Sequence, residues 1–219
     1  MKVKIRIGGI GGQGVQFVSK MLASAAFEVG LGVTQLASYT PASRGGLTYS
    51  DIVICPIDEE ITYQIVDEPD ILVILAKDAY DAFKDTILPH TLVIVDANRN
   101  PKGLEFPCPK NVLKLDLSDI AIELGSESIM NMVLFGVLAH VMDFDEELLA
   151  TIGVDIELQQ KGSRNRSSLD LLHINPEVFA NLLWSKSPKK FVKLNLKAFE
   201  TGYNLLDDNK KFNWTPPSV

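Results

Sequence analysis

A strand that runs straight into a glycine cluster and then into a helix leaves a chain few folds to choose from. Val3, Ile5 and Ile7 alternate with Lys2, Lys4 and Arg6, and Gly8-Gly9-Ile10-Gly11-Gly12-Gln13-Gly14-Val15 follows at once. The alternation predicts a first strand over Lys2–Ile7. Val15, Val18, Leu22, Ala25 and Val29 then recur at helical spacing, with Gly30 and Gly32 bracketing the helix end. Gly9, Gly11 and Gly14 meet the G-x-G-x-x-G spacing at the strand–helix junction. Without Cβ atoms this backbone can turn sharply and aim N–H donors at an anion from a helix N-terminus. Three readings stay open: a nicotinamide dinucleotide site, a site for another phosphate-bearing cofactor, or a structural turn.

Downstream, Val33–Ala37 reads as a second strand and Leu47–Cys55 as a third, antiparallel because the link between them is short and glycine-bearing. Ile71–Leu75, Leu92–Val95 and Val112–Leu115 are short apolar runs of the kind buried on both faces of a parallel sheet. Asp78 and Ser118 are N-cap candidates for the helices beginning there. Ser128–Met142 is apolar nearly all round, a buried helix in which Gly136 marks close packing. Helices resume at Pro176–Ser185 and Pro188–Leu206. The fold class is therefore α/β: a Rossmann-like, mostly parallel sheet with helices on both faces, plus C-terminal helices. Residues 1–219 are expected to form one domain, with a polar, basic surface insertion at 153–173 (Lys161, Arg164, Arg166) and a tail at 207–219.

Composition narrows the chemistry. A net charge of −7 disfavours nucleic acid as the main partner, because no basic field is available to replace counterions. Cys55 and Cys108 stand far apart, which excludes a four-cysteine iron–sulfur cluster held by this chain alone. His90, His140 and His173 lack metal-site spacing, and no nucleophile elbow occurs. No membrane-length apolar run or signal pattern is present, so the expected location is cytoplasmic.

Two segments carry the site expectation. A dinucleotide site of the usual kind needs an acid about 20 residues past the glycines, and Thr34-Gln35-Leu36-Ala37-Ser38-Tyr39 has none. The segment leaving strand two, Ser38-Tyr39-Thr40-Pro41-Ala42-Ser43-Arg44-Gly45-Gly46, offers hydroxyls and a guanidinium suited to phosphate or carboxylate. Its bland alternative is a turn whose Arg44 pairs with a surface acid. Asp96 and Asn98 stand at a strand end, where capping competes with ligand contact.

Ile7–Val15, Ser38-Tyr39-Thr40-Pro41…Arg44-Gly45-Gly46 and Glu68-Pro69-Asp70-Ile71-Leu72-Val73, with Asn131-Met132 and Asn195–Tyr203, together resemble the gamma subunit of 2-oxoacid:ferredoxin oxidoreductases. The resemblance covers residues 1–145 and 186–206. It implies a subunit of an enzyme that converts a 2-oxoacid and coenzyme A to acyl-CoA and CO₂, passing electrons to ferredoxin. Thiamine diphosphate, magnesium and [4Fe-4S] clusters would belong to alpha, beta and delta-type partner subunits. This chain would dock coenzyme A beside the thiamine site through Gly11, Gly12, Gln13, Gly14, Ser38, Tyr39, Arg44, Gly45 and Gly46. A stand-alone NAD(P)-binding oxidoreductase and a non-catalytic nucleotide-binding scaffold are the alternatives. Two departures matter: Thr40 and Ala42 replace the Gly and acid that the family often carries in a Tyr-Gly-Pro-Glu segment, and the 153–173 insertion lies outside its usual pattern.

Overall fold

The strands are β1 (Val3–Ile10), β2 (Gly32–Tyr39), β3 (Leu47–Cys55), β4 (Ile71–Ile74), β5 (Leu92–Asp96) and β6 (Val112–Leu115). They form one sheet in the order β2-β3-β1-β4-β5-β6. β1, β4, β5 and β6 run parallel, while β3 pairs antiparallel with both β1 and β2. The computed structural model describes residues 2–39, 45–99, 103–143, 173–207 and 211–216. Thr40–Arg44 and residues 144–172, which include most of the expected insertion and its Lys161, Arg164 and Arg166, lie outside them.

Strand pleating sorts the side chains. Val3, Ile5, Ile7, Ile52, Ile54, Ile71, Val73, Leu92 and Ile94 face the larger core, under α1 (Val15–Glu28), α3 (Leu117–Glu123), α4 (Met130–Met142), α5 (Pro176–Lys186) and α6 (Val192–Tyr203). Leu72, Ile74, Val93 and Val95 face a smaller core under α2 (Lys77–Phe83). Helices cover both faces, unequally.

α1 illustrates what holds these elements. Its N-cap is Gly14 at φ +75°, which has no side chain to cap with. A good cap is worth about 1 kcal/mol, whereas burying each of Val15, Val18 and Leu22 is worth about 1.5–3 kcal/mol. Packing therefore decides. At the other end Gly30, at φ +81°, closes the helix: Gly30 N–H donates to the Phe27 carbonyl (3.0 Å) and Leu31 N–H to Ala26 (3.0 Å).

α4 is buried on all sides because α6 lies directly on it. A Cβ at Gly136 would stand 2.0 Å from the Phe199 oxygen, and one at Gly202 would stand 2.0 Å from the Val133 oxygen. Gly136 is thus a packing residue, as its apolar setting implies, and Gly202 is its reciprocal partner. Where α4 ends, Ile174 N–H donates to the Met142 carbonyl (3.0 Å) and His173 lies 3.3 Å from Asp143. Past α6, Asn204 brackets Phe212 through its side-chain amide, and Trp214 packs at a tilt against Trp184 with ring centres 5.4 Å apart, so residues 211–216 are docked on the last two helices.

Several expectations need correction. β1 continues through Gly8, Gly9 and Ile10, because β3 pairs with it as far as Ile10↔Leu47. Gly8 and Gly9 are therefore strand residues, and Gly8 admits α2: a Cβ there would meet that of Ala79 at 2.9 Å. Arg6, which the sequence shows only as a polar position alternating with Val3, Ile5 and Ile7, is buried against Asp51. Ala76 and Asp116, not Asp78 and Ser118, occupy the cap positions of α2 and α3. The last helix begins at Val192 because Pro188–Phe191 forms a separate turn, with Phe191 N–H bonded to the Pro188 carbonyl (2.8 Å).

Candidate functional site

Parallel β1, β4 and β5 deliver their carboxyl ends to one edge of the sheet, and the β2–β3 hairpin closes at the same edge. The glycine loop sits at its centre. Ile10–Gln13 forms a turn with Gln13 N–H donating to the Ile10 carbonyl (3.2 Å), and Gly12 takes φ +99°. The Gln13 side chain holds this turn from both sides. Its Oε1 accepts from Ile10 N–H (2.7 Å) and its Nε2 donates to the Leu75 carbonyl at the end of β4 (2.9 Å). Gly9 leaves room for that amide, since a Cβ there would fall 2.5 Å from Gln13 Oε1. Gln13 is accordingly committed to the backbone and braces the loop.

The two segments expected to cooperate do meet. Gly11 N–H donates to the Gly46 carbonyl (3.1 Å), and Gly45 adopts φ +76° beside it. Ser38 is half-buried on β2, paired with Tyr49 across β3. With β3 intervening, Ser38 and Tyr39 stand two strands from β1, about 10 Å away. The backbone of Tyr39 pairs with Thr48, and Arg44 lies outside the described residues.

Beside the loop opens a cleft of about 320 Å³ lined by Ile10, Gly11, Gly12, Gln13, Arg99, Glu127, Ser128, Met130 and Asn131. Asn131 at the start of α4 packs on Gly14, where a Cβ would lie 2.4 Å from its Nδ2. Across the cleft from the glycine loop, Arg99 forms an ion pair with Glu127, both side chains about half exposed. Arg99, Glu127 and Ser128 escaped the sequence reading, having no motif around them. Asn131 was noted there, but without a role.

Asp96 closes the edge beyond Arg99. Its carboxylate accepts from the Ser118 hydroxyl and from Ser118 N–H (3.4 Å), so it caps α3 from a neighbouring strand. Of the two roles open to it, capping is the one the structure displays. Burial holds its carboxyl above the ordinary 3.8 against the opposing pull of Ser118 and Arg99, and burial acts likewise on Asp70 at the far edge. A carboxyl raised in the folded state stabilises most when protonated, and that contribution fades as pH climbs from about 4 through the folded value. Asp96→Asn should therefore flatten the decline of the urea midpoint as pH rises above about 4. An unchanged pH slope would rule the ionisation cost out.

The dinucleotide reading fails on topology. The strand that follows the glycine-loop helix, β2, stands two strands from β1 at the sheet edge and carries no acid over Thr34–Tyr39 to grip a ribose. Among the described residues no helix is long and apolar enough to cross a membrane.

Comparison with known proteins gives consistent results. Residues 4–170 match the family model described as pyruvate ferredoxin/flavodoxin oxidoreductase. The 2-oxoglutarate synthase subunit KorC of Methanocaldococcus jannaschii is 29% identical over 94% of this chain and 94% of its own. That of Archaeoglobus fulgidus is 31% identical over 69% of this chain and 76% of its own. In structure, the gamma subunit of a keto/oxoacid ferredoxin oxidoreductase from Geobacter sulfurreducens superimposes with TM-score 0.65 at 23% identity, over 93% of this chain and 95% of that one. The 2-oxoglutarate:ferredoxin oxidoreductase of Magnetococcus marinus, solved with 2-oxoglutarate, coenzyme A and succinyl-CoA bound, gives 0.70 at 22% identity over 97% of this chain and 32% of that one. These likenesses establish a shared fold.

Proposed function

The chain belongs to the pyruvate ferredoxin/flavodoxin oxidoreductase family, and from that premise we propose that it is the gamma subunit of a 2-oxoacid:ferredoxin oxidoreductase that docks coenzyme A. The observation that carries the docking role is the junction of two anion-suited segments, the glycine loop and the Arg44-Gly45-Gly46 segment, through the Gly11–Gly46 hydrogen bond. In this reading thiamine diphosphate, its magnesium and the iron–sulfur clusters belong to alpha, beta and delta-type partners, as the family resemblance implies; the two separated cysteines of this chain agree with that for the clusters.

The chain's own groups bind and orient. The backbone N–H of Gly12, in the left-handed region on the cleft wall, and the nearby N-terminus of α1 favour a phosphate close to the main chain. The cleft lies at the small end of ligand pockets, which span about 300–1,000 Å³, so it suits the phosphate-bearing part of the cofactor. Coenzyme A held here would supply the thiol that takes up the acyl group in the family's reaction. Gln13 keeps the loop in its binding shape before the ligand arrives, which spares ordering entropy.

Arg44→Ala in the assembled complex should raise the KM for coenzyme A about tenfold, the worth of one charge-assisted hydrogen bond. Unchanged KM and turnover would remove the docking role from this segment.

A further inference from the structure

The two margins of the sheet are built differently. β6 is four residues long and carries exposed Lys114, which makes a short and charged edge. β2, at the other margin, is eight residues long, and Gly32–Tyr39 contains neither charge nor proline. Its register with β3 runs one-to-one from Gly32↔Cys55 to Tyr39↔Thr48, so no bulge turns the edge away. An edge of this length invites another strand unless charge, proline, a bulge or a covering element blunts it. Among the described residues nothing pairs with the outer side of β2.

The ladder tells which groups are left over. The Lys4 and Gly8 carbonyls accept from Asp70 and Leu75 on the β4 side of β1, and Gly11 N–H donates to Gly46 on the β3 side. Alternation from those bonds turns the backbone groups of Thr34 and Leu36 towards β3, and those of Val33, Gln35 and Ala37 outward. Beside this edge, Val33 lines a hollow of about 350 Å³ together with Lys20, Phe27 and Glu28 of α1 and Leu182 and Lys186 of α5. Phe27 is 72% exposed. Lys20 and Lys186 have no ion-pair partner among the described residues, so in a chain of net charge −7 the hollow sets two lysines against one acid.

We propose that the outer edge of β2 and this hollow are one docking site, which takes an extended, acidic and apolar segment of a different polypeptide as an added strand. Outward N–H and C=O groups at every second residue demand a partner in the same extended conformation. The hollow accepts an apolar side chain from one face of that strand, against Phe27 and Leu182, and its lysines select acidic neighbours. A second copy of this chain lacks that complementarity: two-fold pairing of β2 sets like hollows and two bodies of charge −7 side by side. The site stands whether or not the chain holds coenzyme A.

Hydrogen exchange reads the outward amides one by one, in the isolated full chain and in the native complex purified through it. Val33, Gln35 and Ala37 should exchange at least about 100-fold more slowly in the complex, with Thr34 and Leu36 protected in both. Ala37→Pro removes an outward N–H and no bond to β3, so the isolated chain should stay folded yet enter the complex about tenfold less. Lys20→Glu combined with Lys186→Glu should reduce incorporation in the same direction. Both lysines are exposed, so this reversal carries the test if the proline variant does not fold. Equal exchange of the outward amides in chain and complex overturns the proposal, as does protection already present in the isolated monomer or normal incorporation of the folded variants. Protection that vanishes on dilution, with sedimentation as a dimer, makes a second copy the occupant and overturns the acidic partner.

Discussion

Gly202→Leu is expected to leave no soluble folded chain, and Gly202→Ala to lower the melting temperature by roughly 10 °C. The cause is the backbone contact between α4 and α6, where a Cβ at Gly202 would lie 2.0 Å from the Val133 oxygen. Main-chain atoms on both sides leave no rotamer to absorb the clash, so the helices must separate. Separation strips packing from Phe135, Phe179 and Phe199, whose rings contact one another in the same core. Overpacking of this kind costs about 3 kcal/mol even where some relief exists. Gly125→Ala is the contrast: nothing lies within 4 Å of its Cβ position, so only the strain of φ +112° remains, about 1 kcal/mol. Soluble yield for Gly202→Leu and thermal melts of Gly202→Ala and Gly125→Ala test this, and equal shifts for the two alanine variants would sink the close-packing account.

The second large effect belongs to the ion pair beneath α2. Arg6 Nε and Nη2 donate to the two Asp51 oxygens at 2.6 and 2.7 Å, Val66 N–H donates to Asp51 as well (2.9 Å), and the guanidinium lies over Phe83 (4.6 Å) and Tyr49 (5.2 Å). Asp51→Ala strands a buried cation and an amide, at a cost of about 3–5 kcal/mol. Adding Arg6→Met removes the stranded charge, so the double variant should recover most of that loss. Urea denaturation of the four-member cycle measures the coupling. A double variant as unstable as the sum of the singles would mean the pair acts independently at each residue.

The parallel strands β4 and β5 were legible because burial on both faces leaves uninterrupted apolar runs. β3 and β6 fall at the residues the pattern sets, but β6 is an edge strand, half-buried with Lys114 exposed, and not the doubly covered strand expected. Arg6 was not. Its alternation with Lys2 and Lys4 mimics a solvent face, and its partner is 45 residues away, brought opposite only by antiparallel pairing. Ser118 shows the same limit: local sequence proposes a cap, yet the carboxylate capping α3 comes from β5, and Ser118 serves it as donor. At the site, glycine spacing exposed the loop because steric permission is a local property. Gln13 looked free because the Leu75 carbonyl it holds is distant in sequence, and the Arg99–Glu127 pair left no signal because opposed charges on a polar rim resemble any surface.

The bond from Ile174 to Met142, with His173 beside Asp143, makes the chain leave and re-enter the body at one point. Met142 and Ile174 are thereby held one backbone hydrogen bond apart, so the two ends of any link between α4 and α5 are already brought together by the fold. A flexible link closed between ends so fixed costs only about 0.6 kcal/mol more for each doubling of its length.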